Sequence, residues 1–370
     1  MPDVKKHFVI VGGSLGGLAA GLALRELGHD TTILERNPTP VLEHQGAGIV
    51  AGGDTLAFFQ KYDRCDRPFA VTSHRRQYLD NEGNVTHKED MDQNMTPAAG
   101  RRGSLKADVL IGADGPSSTI RSILAPEVQR KYAGYCALRG TVPESEVSDA
   151  AREAFCEKFT FYHCRGVQIL AYLIPGKDGT VEPGQRLINF VYYTKFPEGS
   201  PELEEIMTDK SGKRHRITMP PGLTDPNAWE KQRQIARERL PPQFAEIVCA
   251  TKKPFVQAVT DVLSPTNEYL NGKVILIGDA LAGFRPHTVA STSQAAFDAM
   301  VLADYIEGKV TSEQWKKETL GFARYIQKRG VDMGNRSQFE NLPLEDHIHD
   351  RNVASVPREK EVYSDWATAI

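Results

Sequence analysis

The first apolar run of the chain is short and ends in glycine: residues 8–11 (FVIV) lead into Gly12, Gly13, Ser14, Leu15, Gly16 and Gly17, and small and apolar residues continue to Leu24. Four buried residues closed by paired glycines predict a parallel strand and a tight turn, and the following stretch predicts a helix held close to the strand through Gly17. A second strand follows and ends in Glu35. The same apolar-then-glycine pattern returns at residues 107–115 (ADVLIGADG) and 273–280 (KVILIGDA), each delivering an aspartate, Asp114 or Asp279, at the carboxyl end of a strand. Between them, residues 159–162, 167–174 and 187–193 are rich in β-branched and aromatic residues, and Pro and Gly gather at 175–184 and 197–222. That alternation predicts strands of an antiparallel sheet joined by loops. Beyond Asp279 a helix is expected over 293–307, with Ala295, Ala296, Ala299 and Ala303 for close packing and Gly308 as its stop. The order implied is an α/β nucleotide-binding domain, an inserted antiparallel sheet, and a return to the first domain.

The chemistry of the first turn points to an adenine dinucleotide. Glycines let the backbone approach a pyrophosphate, the amides and dipole that open the next helix attract it, and Glu35 is placed to accept hydrogen bonds from ribose hydroxyls. Ser14 stands where the usual fingerprint has its middle glycine, and its hydroxyl is a further donor to phosphate. Residues 8–24 carry no charge and follow Lys5 and Lys6, which also fits a membrane anchor or signal segment; five glycines inside the run favour the turn instead. The chain is therefore expected to be unprocessed, with no membrane partner.

With 370 residues, 25 % charged and 40 % hydrophobic, the chain is long enough for two domains, and a net charge of −3 gives no reason to expect nucleic acid. Cys65, Cys136, Cys156, Cys164 and Cys249 are scattered without a C-x-x-C pair, so neither a disulfide framework nor a zinc site is expected, and a reducing, cytoplasmic setting is. The cluster Lys213–Arg214–His215–Arg216 reads as a solvated loop or strand end.

Together, GGSLGG, ADG and GD in this order resemble the class A flavoprotein monooxygenases, the para-hydroxybenzoate hydroxylase type. Ser14, the stretch Pro286–His287–Thr288–Val289–Ala290–Ser291, and the segments 132–135 (YAGY), 140–144 (GTVPE) and 215–222 (HRITMPPG) are most similar to its 2,6-dihydroxypyridine hydroxylase branch. The resemblance implies an α/β fold, a Rossmann-like FAD-binding domain with an inserted antiparallel-sheet substrate domain. FAD contacts are expected over 1–70, substrate-region strands over 71–100, the ADG segment over 101–130, the substrate domain over 131–260, and the GD motif with C-terminal helices over 261–345, before a tail at 346–370. It implies FAD, with NAD(P)H as co-substrate, a small aromatic substrate and O2; a homodimer is left open. The cofactor residues implied are Gly12, Gly13, Ser14, Leu15, Gly17, Glu35, Arg36, Gly48, Asp114, Gly115, Asp279, Pro286, His287, Thr288 and Val289. Asp279 is expected on the ribityl hydroxyls, and the helix after Val289 is expected to point its amino end at the flavin pyrimidine.

The implied reaction is hydroxylation of an electron-rich phenolic or hydroxypyridine-like ring; alternatives are decarboxylative hydroxylation of a hydroxybenzoate, epoxidation, or a catalytically impaired flavin-binding protein. No catalytic residue and no metal ligand is singled out. Tyr162, His163 and Tyr193 are candidates for a base in the sheet domain, with packing the commoner role for each, and His287 reads as a backbone-positioned flavin neighbour. The chain departs from the family in two places. Residues 94–106 run straight into the ADG strand, so only 79 positions separate Glu35 from Asp114, where relatives carry a helix with a flavin-contacting arginine and crossover strands. Arg101 or Arg102 is a candidate substitute for that arginine, with a flexible loop the commoner reading of that stretch, and exposed hydrophobic sheet and an exposed isoalloxazine edge are expected beside the flavin. The second departure, Leu281–Ala282 after GDA, is expected to matter little.

Overall fold

The computed structural model describes residues 5–36, 50–64, 70–93 and 106–340. The chain opens with β1 (His7–Val11), α1 (Leu15–Glu26), β2 (Asp30–Leu34) and α2 (Gly53–Tyr62), then the hairpin β3 (Ser73–Leu79) and β4 (Val85–Gln93). Next come β5 (Val109–Gly112), α3 (Thr119–Leu124), β6 (Lys131–Pro143), α4 (Asp149–Phe155), β7 (Lys158–Cys164), β8 (Val167–Ile174) and β9 (Leu187–Lys195). Helix α5 (Pro201–Ile206), β10 (Thr218–Met219), α6 (Pro226–Arg239), α7 (Pro242–Ala250), β11 (Phe255–Leu263) and β12 (Glu268–Tyr269) lead to β13 (Val274–Leu276) and β14 (Ala282–Gly283). The long helices α8 (Ser291–Ile306) and α9 (Ser312–Gln338) complete the described fold, and no described helix is long and apolar enough to cross a membrane.

Two sheets carry the molecule. The first runs β12-β13-β5-β1-β2, with β13, β5, β1 and β2 mutually parallel and β12 antiparallel at the edge. The supposed anchor at 8–24 is thus a strand, a glycine turn and a helix. Phe8, Ile10, Ile111 and Ile275 point to one face, where Ala19, Ala20 and Ala23 of α1 and Ala296, Ala299 and Leu302 of α8 cover them. On the other face Val9 and Val274 are buried as well. Residues 94–105, with Arg101 and Arg102, and the 346–370 tail lie outside the described residues.

The second sheet runs β10-β11-β6-β9-β8-β7-β3-β4, with β14 added beside β11. Its neighbours are antiparallel except for β3 and β7, which pair in parallel (Tyr78 opposite Phe161) because the β3–β4 hairpin arrives from the first domain rather than by a hairpin turn from β7. Side chains alternate between faces with a period of two. Cys136, Leu138, Ile169, Leu173, Phe190 and Tyr192 face α4, α6 and α7 and pack with Phe155, Trp229 and Phe244. Tyr78, Tyr135, Phe159, Phe161, Tyr172 and Tyr193 form the opposite face. Strand β14 pairs Gly283 with Val262 of β11, so the chain after Asp279 joins the two sheets, and Leu281 and Ala282 are fully buried in that joint.

Where β6 ends, Arg186 and Glu144 form a buried ion pair at 3.0 Å, with side chains 8 % and 3 % exposed, and Glu144 also accepts from the Gly184 and Arg186 amides. Burial pushes the Glu144 carboxyl up, but the hydrogen bonds and charge of Arg186 outweigh it and hold the carboxyl below its ordinary range. A depressed carboxylate contributes stability at neutral pH that is lost as pH falls through its folded-state value. Glu144→Gln should therefore cost about 3 kcal/mol at pH 7 by leaving Arg186 buried without its anion, and the cost should shrink as pH drops below the ordinary glutamate range; urea unfolding of both proteins from pH 3 to pH 8 checks this.

Candidate functional site

The turn after β1 is built for close approach. Gly12 has φ +111°, and a Cβ there would stand 2.1 Å from the Ala113 carbonyl oxygen, so only glycine lets β1 and the ADG strand come together. A Cβ on Gly17 would stand 1.8 Å from the Gly12 oxygen, which is why α1 can lie against the turn. Ser14 caps α1 in extended geometry without spending its hydroxyl on the helix, and no acid occupies the first turn of α1, so that turn's amides and the exposed Ser14 remain available to an anion. Glu35 reaches back from the end of β2 and accepts the Gly13 amide at 2.8 Å. Leu15 opens α1 half-buried, Arg36 is exposed beside Glu35, and Gly48 lies outside the described residues.

The two aspartates lie at the ends of adjacent strands, as their spacing predicts, but have different surroundings. Asp114 accepts from the Ser118 hydroxyl at 2.5 Å and the Thr119 amide at 2.7 Å, so it holds the Gly115 turn onto α3. Asp279 sits beside Arg130 and Ser291. Burial pushes its carboxyl up to about 6, against the pull of the Arg130 charge and the Ser291 hydrogen bond. Two arginines not singled out from the sequence organise these loops. Arg121, 2 % exposed, donates to the Ala280 and Pro116 carbonyls, each at 2.6 Å, and so clamps the GD loop to the ADG loop. Arg130 donates to Thr260 and, at 2.6 Å, to Ser117. Arg121 stands directly after the ADG motif, and that position was its only signal.

Residues Pro286–Thr288 form one 3-10 turn, and Val289 follows with φ +50°. A β-branched residue in the left-handed region is strained, and strain of this kind persists where the surroundings impose it. The chain then enters α8 through Ala290, with no capping side chain and no acid in the first turn. His287 is 3 % exposed, with its ring 4.5 Å from Tyr193 and 5.7 Å from Tyr135, so this loop abuts the aromatic face of the large sheet. Tyr193, a candidate from the sequence, belongs to that face; His163 shares it by the strand period, two positions from Phe161. Tyr162 does not, because one residue of offset turns it toward the α6–α7 side, where it lines an open groove with Cys164, Arg237 and Arg239. It is thereby removed as a base acting on this face.

An extended dinucleotide fits this arrangement. The glycine cradle has no room for a Cβ, both α1 and α8 open uncapped, and the buried Thr288 Oγ1 and Gln294 Oε1 have no hydrogen-bond partner among the described residues. Residues 132–261 match a family described as FAD binding domain-like. The chain is 29 % identical over 340 residues to 2,6-dihydroxypyridine 3-monooxygenase of Paenarthrobacter nicotinovorans, covering 82 % of this chain and 83 % of that protein. The solved 2,6-dihydroxypyridine-3-hydroxylase from Arthrobacter nicotinovorans superposes with a TM-score of 0.82 at 26 % identity, covering 92 % of this chain and 94 % of that one. The chain is homologous to the class A flavin monooxygenases. Klebsiella pneumoniae HpxO, solved with FAD and uric acid, shares the class A fold at a TM-score of 0.69 and 15 % identity over 98 % of this chain and 95 % of its own.

Two outcomes follow from this geometry. A carboxyl raised by folding lowers stability as pH rises from its ordinary 3.8 through its folded-state value of about 6. FAD-free Asp279→Asn should match the wild type below pH 4 and exceed it above pH 6 by on the order of 2 kcal/mol, read as thermal midpoints across that range. Val289→Gly should relieve the left-handed strain yet lose packing against the aromatic cluster and add unfolded-state entropy, so its stability should change by less than about 1 kcal/mol, measured by urea unfolding.

Proposed function

We propose that the chain is an FAD-dependent monooxygenase that uses NAD(P)H and O2 to hydroxylate an electron-rich phenolic or hydroxypyridine-like ring. The observation that carries this reading is the meeting of the Pro286–Val289 turn with a wall of six buried aromatic side chains, Tyr78, Tyr135, Phe159, Phe161, Tyr172 and Tyr193. Such a wall binds a flat ring through its π-faces and excludes water from the reacting carbon. The amides of α1 with Ser14 would hold the pyrophosphate, Glu35 the adenosine ribose, and Asp279 the ribityl hydroxyls. The amino end of α8 would face the electron-rich edge of the ring system, where its dipole favours added negative charge. FAD, when bound, supplies hydride acceptance and oxygen activation, and the protein supplies position, a dry wall and proton acceptors.

The names of the relatives make hydroxypyridines the first substrates to try. A reducing cytoplasmic setting belongs to this reading, supported by the free thiols of Cys136, Cys156, Cys164 and Cys249. Purified protein should carry a visible flavin band that survives gel filtration, and 2,6-dihydroxypyridine or a related phenol should raise NAD(P)H consumption at least tenfold, with oxygen incorporated into the product. A colourless protein that FAD does not reconstitute would refute the reading. A flavin band with background NAD(P)H consumption for every ring tried would leave only the impaired flavin-binding alternative.

A further inference from the structure

The large sheet has a second opening, on the side away from the aromatic wall. Between the α6–α7 corner, the end of β7 and the turn of the β3–β4 hairpin lies a groove of about 600 Å3. Small-molecule sites span roughly 300–1,000 Å3, so the groove is large enough for a ligand of one ring or two. Tyr162 and Leu240 form its floor, 6 % and 5 % exposed, and Pro242 and Ala245 continue the apolar lining. Asn81 stands on the hairpin rim, and Gln243 ties that hairpin to α7 by donating to the Gly83 carbonyl at 3.3 Å.

The charges that line this groove are not balanced. Arg237 donates to Glu230 at 3.0 Å, and Glu238 accepts from the Gln234 amide at 2.6 Å, so both are engaged with partners outside the lining. Arg239 has no carboxylate among the described residues. Its Nη2 donates to the Arg165 carbonyl at 3.0 Å and lies 4.0 Å from Cys164 Sγ, which orients the guanidinium and leaves Nε and Nη1 without a described partner.

A cation in the last turn of a helix is favoured by the dipole wherever it points. Here the charge is felt inside the groove. Burial pushes the hydroxyls of Tyr162 and Tyr192 up, and the Arg239 charge pulls each of them back. Tyr192 is fully buried one strand beyond Ile169, and its hydroxyl, with Thr194 beside it, makes no hydrogen bond of ordinary geometry to a described residue.

We propose that this groove binds a small aromatic carboxylate, with the carboxylate on Arg239 and the Tyr162 hydroxyl and the ring against Tyr162, Leu240 and Pro242. One unpaired guanidinium matches one negative charge, and Glu238 on the rim opposes a second, which disfavours a phosphate dianion. A floor made of one aromatic and one aliphatic side chain suits a flat apolar ring. The site lies on the opposite face of the sheet from the loop at His287, so the proposal does not rest on the hydroxylase reading. Strand β7 nevertheless belongs to both, with Tyr162 in the groove and Phe161 in the wall.

The test uses the FAD-loaded full chain with benzoate as the probe and benzamide as its uncharged counterpart. Cys164 lines the groove and reports on it locally, through mass spectrometry of its alkylation by iodoacetamide. Benzoate at about 10 mM should slow that alkylation about fivefold, the protection that a Kd of about 2.5 mM gives, and benzamide should not slow it. Arg239→Gln should lose the protection with its circular dichroism unchanged. Equilibrium dialysis with radiolabelled benzoate needs no thiol, and it should count one site fewer in Arg239→Gln than in wild type whatever binds near the flavin. Equal protection by benzamide, protection retained in Arg239→Gln, or the same number of sites in both proteins overturns the proposal.

Discussion

One guanidinium sets the geometry on which the site depends. β5 and β13 are adjacent parallel strands, so the loops that leave their carboxyl ends would spread apart unless something joined them. Arg121 does so through the carbonyls of Pro116 and Ala280. Buried against these two carbonyls, it holds the loops by charge-assisted hydrogen bonds, with the nearby Asp114 carboxylate, itself engaged at the start of α3, balancing part of its charge. The two aspartates that look equivalent in the chain therefore differ in their surroundings: Asp114 is taken up by Ser118 and the start of α3, while Asp279 lies buried beside Arg130 and Ser291.

The large sheet works with its two faces in opposite ways. Toward α4, α6 and α7 it presents aliphatic side chains with a few aromatics, an interior that needs only to be filled. Toward the first domain it presents aromatic rings and buried polar groups, whose positions matter because each hydroxyl, amide or imidazole requires a partner. The period of two in β6 and β8 sorts these roles within a single strand: Cys136 and Ile169 belong to the filled side, Tyr135 and Gln168 to the other.

Much of this was legible in the chain, for physical reasons that differ by element. The glycine turn, the strands at 167–174 and 187–193 and the helix after Val289 are encoded by neighbours in sequence, through steric permission at Gly12 and apolar period elsewhere. Gly12 could be read because no other residue fits against Ala113. Tyr135, Gln168 and Arg121 escaped because their partners lie 152, 119 and 159 positions away, and a polar residue inside a strand looks alike whether it is solvated or bonded to another domain. Tyr162 failed as a candidate for the converse reason: a one-residue offset decides the face, and a composition-based choice does not register the offset. The parallel β3–β7 pairing was equally hidden, since pairing direction depends on the route of the connecting chain.

The last turn of α9 bonds to β8 through Ser337, while Arg285 bridges Asp261 of β11 and Asn335 of α9, and Gly334 lets that helix settle onto Tyr135. The helix is therefore a strut between the two layers, fastened at its far end. A hinge that opened the layers would have to break this fastening. Through this fastening the two sheets are joined as a rigid frame rather than as the two halves of a jaw.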